Sequence, residues 1–129
     1  MSLRSAIERA EELMPLAPAP EGESDPRWQA IIDVSEFIPT HPDEVWGFAA
    51  RWGCTEDTDL RDAIATCVLE HLLEHHFERV FANVEALAKA DARFAEVVRM
   101  CSKFGRAKLV ENALRLDELQ GLLDAKQRS

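Results

Sequence analysis

One short segment of this sequence carries residue types that could perform chemistry. His71, Glu74 and His75 have the spacing H-x-x-E-H, which is found in inverted zinc peptidases. On a helix, His71 and His75 lie one turn apart on the same face, so they could share a metal ion. Glu74 would then orient a water molecule as a general base. The segment therefore suggests one hypothesis for function, a small metal-dependent hydrolase.

The other interpretation of this segment is structural. A peptidase of that kind needs a further protein ligand and a cleft for its substrate, and no downstream glutamate is singled out by its context. Both histidines also fall on the apolar face of the predicted helix, where a carbonyl or carboxylate would satisfy a ring nitrogen. As the leading interpretation we predict no catalytic residue, no metal site and no cofactor. His71, Glu74 and His75 remain the alternative metal-binding set.

Other kinds of chemistry have little support in the sequence. It contains no Gly-rich phosphate loop, no dinucleotide turn and no G-x-S-x-G. Its cysteines are odd in number and lack C-x-x-C spacing, which argues against a disulfide framework or a zinc finger; they are Cys54, Cys67 and Cys101. The first residues carry charge too early for a signal peptide, and no apolar run approaches the ~20 residues of a membrane helix. We expect a soluble, cytoplasmic chain.

The segment with the two histidines belongs to a long predicted helix. This helix begins at Asp57 or Thr58, runs to about His76, and is apolar over most of its girth. Only a narrow strip, which includes Glu70 and Glu74, is plainly polar. A helix of this kind is packed on several sides, so we expect it to be the central helix of the domain.

The residues before this helix predict a linker and three helices. An amphipathic helix over residues 2–14 ends at Pro15 and can be detachable, because the Pro-rich segment 15–24 follows it. A single helical domain then spans residues 25–129. Asp25 starts its first helix as the N-cap. Thr40 and Asp43 have the spacing of a capping box for the next helix, which Gly53 ends.

The residues after the central helix continue the helical pattern. One helix spans 77–88, a second is capped by Asp91 and closed by Gly105, and a third from about residue 107 breaks near Asp117 or Gly121. No β-alternation appears. The predicted fold is all-α, with about six or seven helices. They form either a compact bundle or a short stack of helical hairpins, as in HEAT-like proteins.

The charge of the chain excludes two classes of partner. Its 129 residues include 15 Lys and Arg against 24 Asp and Glu, a formal net charge of −9. Residues 1–60 hold four basic and thirteen acidic residues, whereas residues 61–129 hold eleven of each. Such an excess argues against binding to nucleic acid or to anionic membranes. At 47% apolar residues, the chain is also too hydrophobic for a disordered acidic tail.

The position of the charge predicts a partner. An acidic surface built largely from residues 25–60 would steer a basic protein, such as a nuclease-type toxin, into place. The candidate partner-binding acids are Asp33, Glu36, Asp43, Glu44, Glu56, Asp57 and Asp59. Our leading hypothesis is a non-catalytic interaction protein. The alternatives are the metal-dependent hydrolase and a structural subunit that forms a homo-oligomer.

Part of the sequence resembles a bacterial family of small helical proteins that are classed as domains of unknown function. The resemblance rests on residues 67–76, their continuation to residue 94, and residues 41–46, and it spans roughly 28–104. It implies a helical, HEAT-like domain, and it implies no activity or catalytic residue. Some small acidic helical proteins of this general kind are immunity proteins against bacterial toxins, which is an analogy of size and charge.

Overall fold

Helices make up most of the computed structural model, which describes residues 1–128. Ser129, the last residue of the predicted domain 25–129, lies outside the described residues. The helices are α1 (Leu3–Leu13), α2 (Pro26–Ser35), α3 (Pro42–Trp52), α4 (Thr58–Ala63), α5 (Glu70–Ala90), α6 (Ala92–Met100) and α7 (Val110–Arg128). A π-helical segment (Ile64–Leu69) joins α4 to α5, and a 3-10 turn (Gly105–Lys108) precedes α7.

These elements confirm the predicted fold class. No strand occurs in residues 1–128. Since α4, the π-helical segment and α5 are continuous, they count as one helix, and the structure is a bundle of six. No helix in this part of the chain is long and apolar enough to cross a membrane.

Three predicted helix starts are confirmed because each depends on a local side chain. Asp25, Asp57 and Asp91 each accept hydrogen bonds from backbone N–H groups in the first turn of the helix that follows. The predicted capping box at Thr40 is wrong. The Thr40 hydroxyl lies 2.8 Å from the His41 ring instead, and α3 begins without a side-chain cap.

The central helix is kinked at His76, the position where the sequence predicts that it ends. His76 has φ −136° and ψ 36°, a non-helical conformation that kinks α5. Its ring Nε2 lies 3.0 Å from the carbonyl oxygen of Ile38, which ties the kink to the turn after α2. Side chains on both sides of the kink, among them Leu72, Leu73 and Phe77, are fully buried. The rod from α4 to α5 is therefore the centre of the core.

The C-terminal third differs from the predicted boundaries. Helix α6 ends at Met100, because Cys101 is already extended, and Gly105 begins the 3-10 turn rather than closing a helix. Helix α7 continues unbroken through Asp117 and Gly121. The apolar residues of α7 that face the core lie on both sides of Gly121, and their burial outweighs the cost of about 1 kcal/mol for a helical glycine; they are Leu116, Leu119 and Leu123.

Helix α1 is part of the same core. Its buried side chains repeat at helical spacing and face α2: Leu3, Ala6, Ala10 and Met14. The linker after α1 is held at one further point, because the carbonyl oxygen of Leu16 accepts a hydrogen bond from Arg27 Nη1 at 3.4 Å. This packing places the first helix beside the region where the acidic residues are concentrated.

Candidate functional site

The carboxylate of Glu74 contacts both histidines of the H-x-x-E-H segment. One Glu74 oxygen, Oε1, lies 2.8 Å from Nδ1 of His71 and 3.3 Å from Nε2 of His75. The hydrogen bond with His71 and the charges of the two rings lower the pKa of Glu74. The histidine side chains are 45% and 56% exposed, so the rings lie at the surface and not in the core.

The segment after α6 covers the same face of α5. Glu70 accepts a hydrogen bond from the backbone N–H of Ser102 at 2.6 Å. One turn further on, Gly105 lies directly against Glu74, and two turns on Glu78 pairs with Arg106. Residues 101–106 therefore cover part of the polar strip that the sequence predicts on the central helix: Glu70 is buried, whereas Thr66 in the same strip is exposed.

This arrangement explains how the segment is used in the fold. Both histidine contacts of Glu74 are made by one carboxylate oxygen, Oε1. Among residues 1–128, no group of three or more His, Cys, Asp or Glu side chains is arranged to hold a metal ion. The contacts of His71 and His75 with a carboxylate are those of the structural interpretation, whereas the two rings lie at the surface and not on a buried apolar face.

Two of the seven candidate acids are engaged by a buried arginine. The Arg27 side chain is only 2% exposed, and it forms ion pairs with Asp25 at 2.9 Å, Asp57 at 3.0 Å and Asp59 at 3.1 Å. The indole N–H of Trp28 also donates to Asp59. Because Asp57 caps α4 as well, these aspartates hold α2 against α4 and are poorly placed to bind a partner.

Two further candidates pair with arginines of the C-terminal half. Arg79 on α5 forms a two-bond pair with Asp43, at 2.7 Å for each bond, and this lowers the pKa of Asp43. Arg93 on α6 donates to Glu56 at 2.9 Å. Both pairs lie at the surface, where an ion pair contributes little to stability. These pairs still neutralise part of the excess negative charge of residues 1–60.

The remaining three candidates have no ion pair with any residue from 1 to 128. Asp33 and Glu36 lie at the C-terminal end of α2, within one turn of the exposed side chain of Ile32. Asp33 accepts one hydrogen bond, from the Gln29 amide at 2.9 Å. Glu44 is exposed in the first turn of α3. Of these three carboxylates, those of Glu36 and Glu44 are exposed and that of Asp33 is half-buried.

Sequence reasoning missed two acids that the fold brings to this region. Helix α1 and the start of α3 line a cleft, with Glu8 and Glu11 on the α1 side and Glu44 on the α3 side. Leu3 and Ile7 provide an apolar floor. The spacing of the apolar residues in α1 was the signal that could have found this, because it requires another helix for α1 to pack against.

The three cysteines are unsuited to nucleophilic chemistry. All three are free thiols, and burial raises the pKa of each: Cys54, Cys67 and Cys101. A thiol reacts as the thiolate, so a raised pKa makes it inert near neutral pH.

Comparison with other proteins adds no assignment. No protein-family model, curated protein or solved structure matches this chain. The argument for function therefore rests on the side chains described above.

Proposed function

We propose that the chain is a non-catalytic interaction module that binds a basic protein through an acidic surface on its N-terminal half. We define this acidic surface by Asp33, Glu36 and Glu44. The observation that carries the proposal is that these three carboxylates, of which Glu36 and Glu44 are exposed and Asp33 is half-buried, form no ion pair within residues 1–128. Among the other four candidate acids, Asp57 and Asp59 share Arg27, Asp43 pairs with Arg79, and Glu56 pairs with Arg93. A partner can supply the missing cations.

The acidic surface also offers an apolar contact. Ile32 is 37% exposed, and it lies next to Asp33 and one turn before Glu36. Protein interfaces combine an apolar centre with a polar rim, and here the rim would be acidic. Glu8 and Glu11 lie near Glu44 along α1, but each already has a cation: Glu8 pairs with Arg4 at 3.2 Å and Glu11 pairs with Arg51 at 2.5 Å. A Lys- or Arg-rich protein surface with an apolar centre is the complementary partner.

The partner class follows from this charge. A nuclease-type toxin has a basic surface because it binds phosphates, and an immunity-like protein would bind it at that surface. The same negative charge disfavours nucleic acid and anionic membranes as ligands. We take the cytoplasm to be the compartment, because free thiols persist in a reducing environment.

Charge reversal on α2 tests the proposal. The variant Asp33→Lys/Glu36→Lys should lose the partner in a quantitative pull-down from the native cells. The matched control is Asp62→Lys/Glu85→Lys, which makes the same change of charge on the rod from α4 to α5. Asp62 has no ion pair within residues 1–128, and Glu85 has only an exposed contact of 3.7 Å with Lys89. A partner list that the α2 variant leaves unchanged refutes the proposal.

Ionic strength provides an independent measurement. Electrostatic steering raises the association rate and is screened within about 8 Å at physiological salt. The association rate of the partner should fall when salt is raised from about 50 to 500 mM. For the α2 variant this dependence should be weaker. A rate that does not respond to salt would mean that charge does not drive the encounter.

A metal-dependent hydrolase is the second candidate, and one contact favours it. The Glu74 carboxylate touches both His71 and His75, which is how a carboxylate orients imidazole ligands around a metal. Metal analysis of protein purified without a histidine tag tests this candidate. Stoichiometric zinc that is lost in His71→Ala would support a hydrolase, and zinc far below one equivalent would end it.

A structural subunit that forms a homo-oligomer is the third candidate. Static light scattering over a wide range of protein concentration tests it directly. A monomeric mass at high concentration counts against this candidate, whereas a stable dimer would favour it over the interaction module.

A further inference from the structure

Exposed apolar side chains are concentrated near the start and along the outer face of α7. Of the nine large hydrophobic residues that are exposed in the described chain, six lie between residues 100 and 122: Met100, Phe104, Leu109, Val110, Leu114 and Leu122. Isolated exposed apolar residues are normal, but a cluster on one element marks an interaction site.

Three of these residues form a ridge on the helix. Val110, Leu114 and Leu122 lie on the i, i+4, i+8, i+12 line of α7, with Glu118 as its fourth member. Their exposed fractions are 77%, 58% and 51%. Ridges with a spacing of four residues are the surfaces that pack into the grooves of another helix. We call Val110, Leu114, Glu118 and Leu122 the outer ridge.

Helix α7 also has a separate face that packs against the core. Leu116, Leu119 and Leu123 are at most 3% exposed, and they supply the contacts that α7 makes with the bundle. The outer ridge is thus additional to what the fold requires. In a helix held by one apolar face, the opposite face is normally polar.

Charge on α7 indicates what kind of helix fits. Glu118 lies in the ridge and Glu111 lies beside it, and neither has an ion pair among residues 1–128. Arg115, which lies between them in sequence, is held over the Phe81 ring at 4.5 Å. Asp117, on the other side, is paired with Lys103. A protein that binds at this ridge would therefore need basic side chains to pair with these two glutamates.

A second copy of the chain fits this charge poorly. In a symmetric pair of α7 helices, each copy contributes the unpaired carboxylates of Glu111 and Glu118 to the interface. Like charges that face each other across an interface oppose association. A basic amphipathic helix instead supplies apolar side chains for the ridge and a Lys or Arg for each glutamate.

We propose that the outer ridge of α7 docks an amphipathic helix of another protein, one whose apolar face is flanked by lysines or arginines. This surface is separate from the acidic surface on α2 and α3, so the proposal does not depend on the proposed function. It gives the chain a second place to bind protein.

A pair of synthetic peptides tests the proposal with the full chain. One is an 18-residue helix of leucine and lysine, and the other has the same pattern with glutamate in place of lysine. Fluorescence anisotropy of the labelled peptides should show binding of the lysine peptide alone. Amide shifts in NMR spectra should map its contact to residues 109–122. No binding of the lysine peptide, or shifts confined to α2 and α3, would overturn the proposal.

Variants separate ridge docking from general attraction to an acidic protein. Val110→Ser/Leu114→Ser keeps the net charge and should weaken lysine-peptide binding about tenfold or more, as expected for loss of a central anchor. Leu16→Ser is the control: it removes an apolar side chain that is 56% exposed in the linker after α1, and it should leave binding unchanged. Equal binding of the lysine peptide to the wild type and to the ridge variant would refute this proposal. The proposed function would not be affected, because it is tested separately by the charge reversal on α2.

The same variant excludes the competing occupant. Light scattering should show a monomer for the wild type at concentrations where the lysine peptide binds. A wild-type dimer that becomes a monomer in Val110→Ser/Leu114→Ser would assign the ridge to a second copy and overturn the proposal of a basic partner.

Discussion

Substitution of Gly105 by alanine should destabilise the protein strongly, because two features of the structure oppose a side chain there. Gly105 has φ +50°, a conformation that L residues rarely adopt. A Cβ atom would lie 2.7 Å from Cγ of Glu74 and 2.8 Å from the Glu74 carbonyl oxygen. The carbonyl belongs to the backbone of α5, so it cannot move aside as a flexible side chain would.

The magnitude follows from adding these two costs. The left-handed conformation costs an alanine about 1–2 kcal/mol relative to glycine. Forcing an additional carbon into a packed contact costs about 1–3 kcal/mol. The free energy of unfolding of Gly105→Ala should therefore fall by about 2–5 kcal/mol. With a urea slope of about 2 kcal/mol per M, the midpoint falls by about 1–2.5 M.

A second glycine supplies the control for this measurement. Gly121 lies in α7, and a Cβ built there meets nothing within 4 Å. Gly121→Ala should raise the free energy of unfolding by about 0.5–1 kcal/mol, because alanine loses less conformational entropy in a helix. Urea titrations of both variants, followed by circular dichroism, test the pair. A loss below about 0.5 kcal/mol in Gly105→Ala would show that residues 101–106 do not pack on α5 as described.

Three further predictions concern charge and packing. Arg27→Met should lower the free energy of unfolding, measured in urea, by about 2–3 kcal/mol. This is less than the roughly 3–5 kcal/mol for breaking a fully buried pair, because Asp57 and Asp59 are partly exposed. An unchanged free energy would contradict the ion pairs of Arg27. Arg106 and Asn112 lower the pKa of Glu78 from 4.5 to about 2, so Glu78 stabilises the fold above pH 4.5 and this contribution is lost as the pH falls to about 2. Glu78→Gln should therefore have a lower melting temperature than the wild type at pH 7 and the same melting temperature near pH 2. A difference in melting temperature that does not change with pH would refute the assignment. Leu116→Ala should cost about 3–5 kcal/mol in the same urea titration, because Leu116 is fully buried. Leu114→Ala, two residues earlier on the exposed face, should cost under about 1 kcal/mol, and similar losses would mean that α7 is rotated.

The features that sequence predicted correctly depend on a few neighbouring residues. An aspartate before a helix caps it through its own side chain, so Asp25, Asp57 and Asp91 could be identified without tertiary information. The central helix could be identified because its apolar residues cover most of its girth, a sign of burial on several sides. The fold class and the approximate number of helices follow from the same local patterns.

The features that sequence missed depend on distant residues. The Thr40 hydroxyl had a competing partner in the His41 ring, so the capping box did not form. Glu70 looked like a solvent-facing residue because nothing near it in sequence showed that Ser102 would cover it. Arg27 meets Asp57 and Asp59 across about thirty positions, and no local spacing records such a contact. The accessible part of the acidic surface therefore could not be separated from the engaged part.

Folding also changes where the excess negative charge is accessible. By sequence all of it lies in residues 1–60, yet Arg79 and Arg93 from the second half neutralise Asp43 and Glu56 in the first. Some acids of the second half form no ion pair within residues 1–128. Glu111 and Glu118 on α7 are two of them, and they lie along the apolar outer ridge. Ion pairs thus reduce the acidic surface on α2 and α3, while Glu111 and Glu118 stay unpaired on α7, and we propose a basic partner for each surface.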